Sequence, residues 1–357
     1  MTAIHNDAPS WTRRGLLQAA MGTIGAVSVA ARAQAPSAAA GIPGGAAPAT
    51  VIHSELRQLT PTVYAFLQRE APGQSNFSIS NFGLIIGPAS LLAIDAGGGP
   101  QHARNFIAAA SRFGKPFNRV VITHEHPDHI VGLTQFPAGI EIVSQEATRA
   151  QMVKMGTPRT PAYWATNPAW ARPGDVNKVI LPNVTFKDRL TLYYGDMEVD
   201  VYWPGRAHTS GDALILLPRE RVLFMGDVAF FGVTPLNGSG FIQDWIKVCD
   251  AVLADERVAT IVPGHGPIGT KSDLRDMRGY LSLILQTAQH GLQAGISPGR
   301  AAAELDLGKY ATWTDADRIA TNMARVYEEL RGTVGVDMNR EGAAQAVAEY
   351  ERLKARR

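Results

Sequence analysis

The sequence has almost no cysteine and almost no excess of charge. Cys249 is the single cysteine among 357 residues, which excludes an internal disulfide framework and a zinc module built on cysteines. Lys and Arg number 34 against 32 Asp and Glu, so the net charge of +2 offers no general surface for nucleic acid. With 45% apolar residues, the chain is neither disordered nor fibrous. Its chemistry must therefore come from His, Asp, Glu and hydroxyl groups.

The first 35 residues have the order of an export signal. Arg13 and Arg14 directly precede an apolar run over residues 16–31, which ends in alternating small residues. The run falls short of the ~20 strongly apolar residues of a stable membrane span. We predict a signal peptide of the bacterial twin-arginine type over residues 1–35, with an ordinary secretory signal as the alternative, and a periplasmic location. Residues 36–50, rich in Ala, Gly, Pro and Ser, are predicted to be a flexible linker.

From residue 51 onward, short apolar runs alternate with stretches of helical spacing, which predicts a layered α/β domain over residues 51–270. The predicted strands cover residues 63–67, 82–86, 91–94, 120–123, 140–143, 184–186, 198–203, 213–217, 222–225 and 259–262. Two helices are predicted inside this domain, over residues 101–113 and 241–253. Residues 271–357 are predicted to form a helical C-terminal segment.

Residues 151–175 differ from the rest of this domain. Two tryptophans, a tyrosine and two methionines lie among four prolines, a density of proline that is unusual for a regular element. Two interpretations stay open from the sequence. The segment is either a surface loop whose aromatic side chains fix it to the domain, or a lid that lines a substrate site.

The histidines are concentrated in a few short motifs. HEHPDH spans residues 124–129 and directly follows the apolar run VVIT. His208 lies in GRAHTSGD, Asp227 ends the run LFMGD, and His265 lies in PGHG. Each motif follows a predicted strand or lies on a glycine-bounded turn, and such positions meet at one edge of an α/β sheet. The sequence therefore predicts that these motifs form one site.

Imidazole and carboxylate are suitable ligands for zinc and similar divalent ions. His124 and His126 stand two residues apart, so on an extended chain they point the same way while Glu125 points elsewhere. Asp128 and His129 lie one turn further on and reach a second metal nearby. Two neighbouring metals are typical of hydrolytic sites. Asp95 and Asp212 are interpreted as turn or supporting groups rather than ligands.

Taken together, the motifs resemble the complete metal-binding set of the metallo-β-lactamase superfamily, over residues 55–270. The resemblance implies an αββα sandwich with the metal site at one edge, between the sheets. It also implies a role for each motif residue. The first metal would be held by His124, His126 and His208, the second by Asp128, His129 and His265, and Asp227 would bridge the two.

An aspartate at position 227 is similar to the glyoxalase II and lactonase branch, whereas the best-known class B β-lactamases have a cysteine there. Residues 228–234 carry no basic group for glutathione, which disfavours glutathione thioesters. The resemblance implies a binuclear zinc hydrolase, with iron or manganese as other candidate metals. Metal-activated hydroxide would attack an ester, lactone, thioester or β-lactam carbonyl of a small molecule.

Within this mechanism, Asp128 would pass a proton to the leaving group, and Phe230 and Phe231 would form an apolar substrate wall with the aromatic residues of 151–175. Two alternatives stay open. One is a mononuclear iron enzyme of the same fold that uses oxygen on sulfur compounds, and the other is a non-catalytic metal-binding protein. No nucleic-acid partner is predicted, and the sequence indicates no particular oligomeric state.

Overall fold

The computed structural model describes residues 53–69, 80–156, 175 and 178–356. The predicted signal peptide and linker lie outside the described residues, as do residues 157–174 of the segment interpreted as loop or lid. Among the helices described, none combines the length and the apolar character that a membrane crossing requires.

The first sheet has seven strands in chain order. Its strands are β1 (His53–Gln58), β2 (Val63–Arg69), β3 (Phe82–Ile86), β4 (Leu91–Ile94), β5 (Phe117–Val121), β6 (Glu141–Gln145) and β7 (Val184–Phe186). Neighbours from β1 to β4 run antiparallel, and neighbours from β4 to β7 run parallel. The carboxyl ends of β4 and β5 therefore lie side by side at one edge.

The second sheet has five strands in the order β12-β11-β10-β9-β8. Its strands are β8 (Arg189–Tyr194), β9 (Met197–Tyr202), β10 (Leu214–Leu217), β11 (Val222–Phe230) and β12 (Thr260–His265). Only β11 and β12 pair in parallel, with Val222 opposite Thr260 and Phe230 opposite His265.

Helices cover the outer faces of both sheets. The described α-helices are α1 (Pro100–Ala110), α2 (Pro127–Ile130), α3 (Glu146–Met155), α4 (Ile242–Ala254), α5 (Lys271–Gln293), α6 (Pro298–Glu304), α7 (Ile319–Leu330) and α8 (Arg340–Lys354). Short 3-10 turns occur at Ser111–Phe113, Val131–Gln135, Gly308–Thr312 and Ala316–Arg318.

Alternation along the strands creates three buried layers. In β2, Val63, Ala65 and Leu67 face the core between the sheets, whereas Tyr64 and Phe66 face the layer that contains α1. In the second sheet, β10 divides its side chains in the same way, and its outer face packs in one core with α4 and the C-terminal helices. This arrangement is the αββα sandwich that the resemblance implied, with the helical segment packed on the second sheet.

Several local predictions need correction. The strand predicted over residues 222–225 continues to Phe230, because Gly226 takes a left-handed φ of 48° and the pairing with β12 resumes beyond it. Residues 151–155 belong to α3, whose start is capped by the side chain of Gln145, so the proline-rich composition begins beyond the helix. Strands β1 and β8, which lie at the edges of their sheets, were not predicted.

Candidate metal centre

The fold brings all seven candidate ligands to one edge, between the two sheets. His124 and His126 lie in the turn after β5, Asp128 and His129 in α2, His208 between β9 and β10, Asp227 inside β11, and His265 at the end of β12. Their ligand atoms form two groups, each with all atoms within 4.8 Å of one another, and Asp227 belongs to both.

The first cluster contains three imidazoles. His208 Nε2 lies 2.8 Å from His126 Nδ1. Asp227 Oδ2 lies 3.4 Å from His208 Nε2 and 3.8 Å from His124 Nε2. Both His124 and His208 are fully buried. The three ring nitrogens and this carboxylate oxygen therefore converge on one point of a size suited to a single cation.

The second cluster combines two imidazoles with a carboxylate of its own. Asp128 Oδ2 lies 3.0 Å from His265 Nε2 and 3.5 Å from His129 Nε2. Asp227 Oδ1 lies 3.0 Å from His129 Nε2 and 3.4 Å from His265 Nε2. The two oxygens of Asp227 thus face one cluster each, which is the geometry of a bridging ligand.

Two glycines permit this placement of Asp227. Gly226 lies directly before it in left-handed conformation, and a Cβ there would come within 2.7 Å of Thr123. A Cβ on Gly264 would approach Asp227 Oδ1 to 1.9 Å. The turn that carries His265 can therefore lie against the carboxylate only because Gly264 has no side chain.

Hydrogen bonds behind the clusters select the tautomer of two histidines. His129 Nδ1 lies 2.8 Å from Asp95 Oδ2, so its N–H donates to this carboxylate and Nε2 is the atom that would bind metal once it loses its proton. The Thr123 hydroxyl donates to Asp95 Oδ2 at 2.8 Å, and its oxygen accepts from His124 Nδ1 at 3.1 Å. Asp95 therefore supports one ligand in each cluster, and Thr123 is a supporting residue that the sequence did not reveal.

Two further carboxyl groups near the ligands lie outside both clusters. Asp212 accepts from the backbone N–H and the hydroxyl of Thr209, each at 2.8 Å, and so braces the turn next to His208. Burial raises the pKa of Asp212 to about 7. Glu125 is buried, and burial raises its pKa to about 8. Neither group is placed as a ligand, in agreement with the sequence interpretation of both.

The two clusters differ in their protonation. Burial lowers the pKa of His124 and His126, and it lowers the pKa of His208 to about 3. Burial would also lower the pKa values of the second-cluster imidazoles, but the negative charges of Asp227 and Asp128 outweigh the effect of burial. They raise the pKa of His129 well above its usual range and that of His265 to about 9. These imidazoles in turn hold the pKa of Asp128 and Asp227 well below its usual value, against burial.

The residues fit a metal. His124 Nε2 is buried, carries a lone pair in the tautomer that Thr123 selects, and makes no hydrogen bond to any described residue. A buried nitrogen of this kind is costly unless a further partner satisfies it. The donor set of imidazole nitrogens and carboxylate oxygens is the set that zinc and related divalent ions prefer.

The predicted substrate wall needs correction. Phe230 and Phe231 are 1% and 3% exposed and belong to the core beneath the C-terminal helices. The Phe230 ring stacks on His265, with centroids 5.2 Å apart and planes within 7° of parallel. Because β11 extends to Phe230, this ring supports a ligand from behind and does not face a substrate.

One face of α7 holds the loop that leads from β11 to α4. Asn322 Oδ1 accepts from the backbone of Asn237 at 2.8 Å, and Arg325 Nε donates to Gly240 O at 2.9 Å. Glu329 accepts from the backbone N–H of Ile242 at 2.7 Å, at the start of α4. These polar residues recur every three or four positions along an otherwise apolar helix. That spacing is a sequence feature that could have indicated their role.

Comparisons with known proteins agree with this geometry. The sequence profile of the family described as the metallo-beta-lactamase superfamily matches residues 76–265, just over half of the chain and inclusive of every candidate ligand. The metallo-beta-lactamase type 2 of Bacillus cereus is 23% identical over 236 residues, which cover 62% of this chain and 84% of the relative.

Solved structures share the fold. A metallo-beta-lactamase from Pontibacter korlensis superposes with a TM-score of 0.51 at 20% identity, over 64% of this chain and 99% of that chain. The inverting sec-alkylsulfatase Pisa1 from a Pseudomonas species superposes with a TM-score of 0.59 at 18% identity, over 77% of this chain and 50% of that chain. The chain therefore belongs to the metallo-beta-lactamase superfamily and is a metallo-hydrolase with two His/Asp clusters for metal.

Proposed function

We propose that the protein is a binuclear zinc-dependent hydrolase that cleaves an ester, lactone, thioester or β-lactam carbonyl in a small molecule. The observation that carries this proposal is the division of Asp227, whose Oδ2 faces the first cluster and whose Oδ1 faces the second. A carboxylate shared in this way suits two cations held close together. In this assignment His124, His126 and His208 hold one ion, Asp128, His129 and His265 hold the other, and Asp227 bridges them.

Two bound zinc ions would supply an activated water and a Lewis acid for the substrate carbonyl. The chain supplies orientation and proton transfer. Asp95 and Thr123 hold two of the ligand rings in the required tautomers. Asp128 has the more accessible of the two cluster carboxylates, since its side chain is 15% exposed and that of Asp227 is 5% exposed. Asp128 is therefore the carboxylate that would accept a proton during attack and deliver it to the leaving group.

Substrate class and location are part of the same proposal. An aspartate at position 227 supports the glyoxalase II and lactonase branch, and residues 228–234 without a basic group disfavour glutathione thioesters. The Bacillus cereus relative makes β-lactams a substrate class to test beside lactones and simple esters. The twin-arginine pattern supports export of the protein, already folded around its metal, to the periplasm.

Elemental analysis of the purified protein, followed by assay of the loaded enzyme, tests this proposal. We expect two zinc ions per chain and hydrolysis of at least one member of a panel of lactones, esters, thioesters and β-lactams. An alkyl sulfate joins the panel because an alkylsulfatase shares the fold. One iron per chain with oxygen-dependent activity, or cleavage of the sulfate alone, would contradict the proposal. Failure to bind zinc at all would leave a non-metal role and would also contradict it.

A further inference from the structure

Asn81 forms hydrogen bonds to the turn that carries His265. It lies just before β3 and is 4% exposed. Its Nδ2 donates to Pro263 O and to Gly266 O, each at 2.9 Å, and its backbone N–H donates to Gly264 O at 2.7 Å. The three accepting carbonyls lie on both sides of His265 along the chain. Asn81 therefore fixes the turn from which this imidazole projects.

The neighbouring residue reaches the other side of the second cluster. The buried Ser80 hydroxyl donates to the backbone carbonyl of Asp128. Asp128 and His265 are 137 positions apart in the sequence, yet Asp128 Oδ2 and His265 Nε2 lie 3.0 Å apart. Two adjacent residues thus hold the backbone of both partners in this contact, and we name the pair Ser80 and Asn81 the bracket.

The turn lies where the pairing of β12 with β11 is interrupted. The pairing shifts register between Gly226 and Phe230, and it resumes where the backbone N–H of Phe231 donates to His265 O at 3.1 Å. Asn81 supplies the donors for the carbonyls on either side of that bond. Gly264 also lies against Asp227, where no space exists for even a Cβ. A small displacement of the turn would therefore move His265 relative to both carboxylates of the second cluster.

We propose that Ser80 and Asn81 are positioning residues that set the occupancy of the second metal cluster independently of the first. The bracket acts through the backbone of two second-cluster ligands. Of the first-cluster imidazoles, His124 and His208 project from other turns, and His126 lies two residues before Asp128 at the start of α2. The inference rests on the proposed two-metal function. Residues that orient ligands from behind typically change metal affinity by about 10- to 100-fold.

Metal titration of the full-length protein tests the bracket. Apoprotein is titrated with Zn²⁺ by calorimetry and with Co²⁺ by visible absorption, for the wild type, Asn81→Ala, Asn81→Asp and Ser80→Ala. We expect the wild type to bind two ions in resolvable steps. In Asn81→Ala and Asn81→Asp, the second step weakens by about 10- to 100-fold while the first is unchanged. Asn81→Asp keeps the size of the side chain but turns a donor toward two carbonyls into an acceptor.

Asn183→Ala is the matched control. Asn183 also makes two side-chain hydrogen bonds to backbone, with Ile142 N at 2.8 Å and Ile140 O at 3.1 Å, and its backbone N–H donates to Ile142 O at 3.0 Å. These partners lie at β6, and none is a candidate ligand. We expect this variant to lose a similar amount of stability and to keep both metal steps. Ser80→Ala removes a single hydrogen bond and serves as the mild variant if Asn81→Ala fails to fold.

The outcomes separate this inference from the proposed function. Two steps in the wild type with both steps unchanged in all bracket variants would overturn the role of the bracket alone. Equal weakening of both steps would also overturn it, because that result indicates a general structural effect. If the wild type itself binds fewer than two ions, the proposed two-metal function is wrong, and so is the inferred role of the bracket.

Discussion

The two metal clusters are built from the same edge of the fold and share Asp227, yet their imidazoles have opposite protonation tendencies. In the first cluster, burial lowers the pKa of His208 to about 3. In the second, carboxylates override burial and raise the pKa of His265 to about 9. The difference arises because Asp128 adds a second negative charge beside His129 and His265. Neighbouring charge, and not depth of burial, therefore decides which cluster is ready for a metal at neutral pH.

The shared ligand provides the largest expected effect. We expect Asp227→Ala to weaken both metal sites and to lower kcat/KM by more than about 10⁴-fold, the upper range of proton transfer alone. The physical reason is that each cluster loses one carboxylate oxygen. Elemental analysis and steady-state kinetics measure the result. A variant that still binds two ions with full affinity would contradict the bridging assignment.

A substitution confined to the second cluster should lower activity less than the loss of Asp227. We expect Asp128→Asn to lower kcat by about 10²- to 10⁴-fold, because the amide neither accepts nor delivers the proton. The first cluster keeps its ligands, so one ion should stay bound in this variant. Kinetics and metal content are measured on the same preparation. Loss of both ions would show that the two clusters do not act separately.

The protonation difference predicts distinct pH dependence for the two binding steps. At pH 7 the first-cluster imidazoles are neutral, so the first ion should bind with little proton release. His129 and His265 are protonated in the metal-free protein, and both must lose a proton before their nitrogens bind metal. Affinity for the second ion should therefore rise with pH below about 9, by up to about 100-fold per pH unit.

Calorimetry in two buffers of different ionisation enthalpy measures this proton release for each step. The first step is the internal control for the second. Equal proton release in both steps would remove the contrast between the clusters, and release from the first step alone would reverse it.

The smallest expected effect concerns Glu125, which lies between His124 and His126 in the sequence and belongs to neither cluster. Burial raises the pKa of Glu125 to about 8 from its ordinary value of 4.5. Its contribution to stability is therefore complete below pH 4.5 and is lost as the pH rises toward 8. In metal-free protein, Glu125→Gln should gain stability relative to the wild type by about 1.4 kcal/mol per pH unit between pH 5 and 7.

Urea unfolding at several pH values measures this trend. The exposed Glu351→Gln is the control, since its carboxyl is solvated in both folded and unfolded states. Activity of the loaded Glu125→Gln enzyme should stay close to that of the wild type at neutral pH. A large loss of activity would place Glu125 in the catalytic machinery.

Many strand positions could be predicted because apolar runs bounded by glycine and proline are local features. The predicted runs over 82–86, 91–94 and 184–186 coincide with β3, β4 and β7. Strand β8 also carries a local pattern, since Leu192 and Tyr194 are buried and Tyr193 is 70% exposed, and a stricter test of alternation would have found it. Strand β1 has no such pattern, and it is identified as a strand by its pairing with β2.

The residue types and the spacing within HEHPDH, GRAHTSGD, LFMGD and PGHG are local features, so the amino-acid sequence was enough to identify the side chains that can bind metal. The packing of the two sheets sets which way each oxygen of Asp227 faces and places Phe230 behind His265. It also brings Ser80 and Asn81 into hydrogen bonds with the backbone around Asp128 and His265. The physical reason is that these contacts join residues far apart in the chain. Their distances depend on how two sheets pack, which no local pattern encodes.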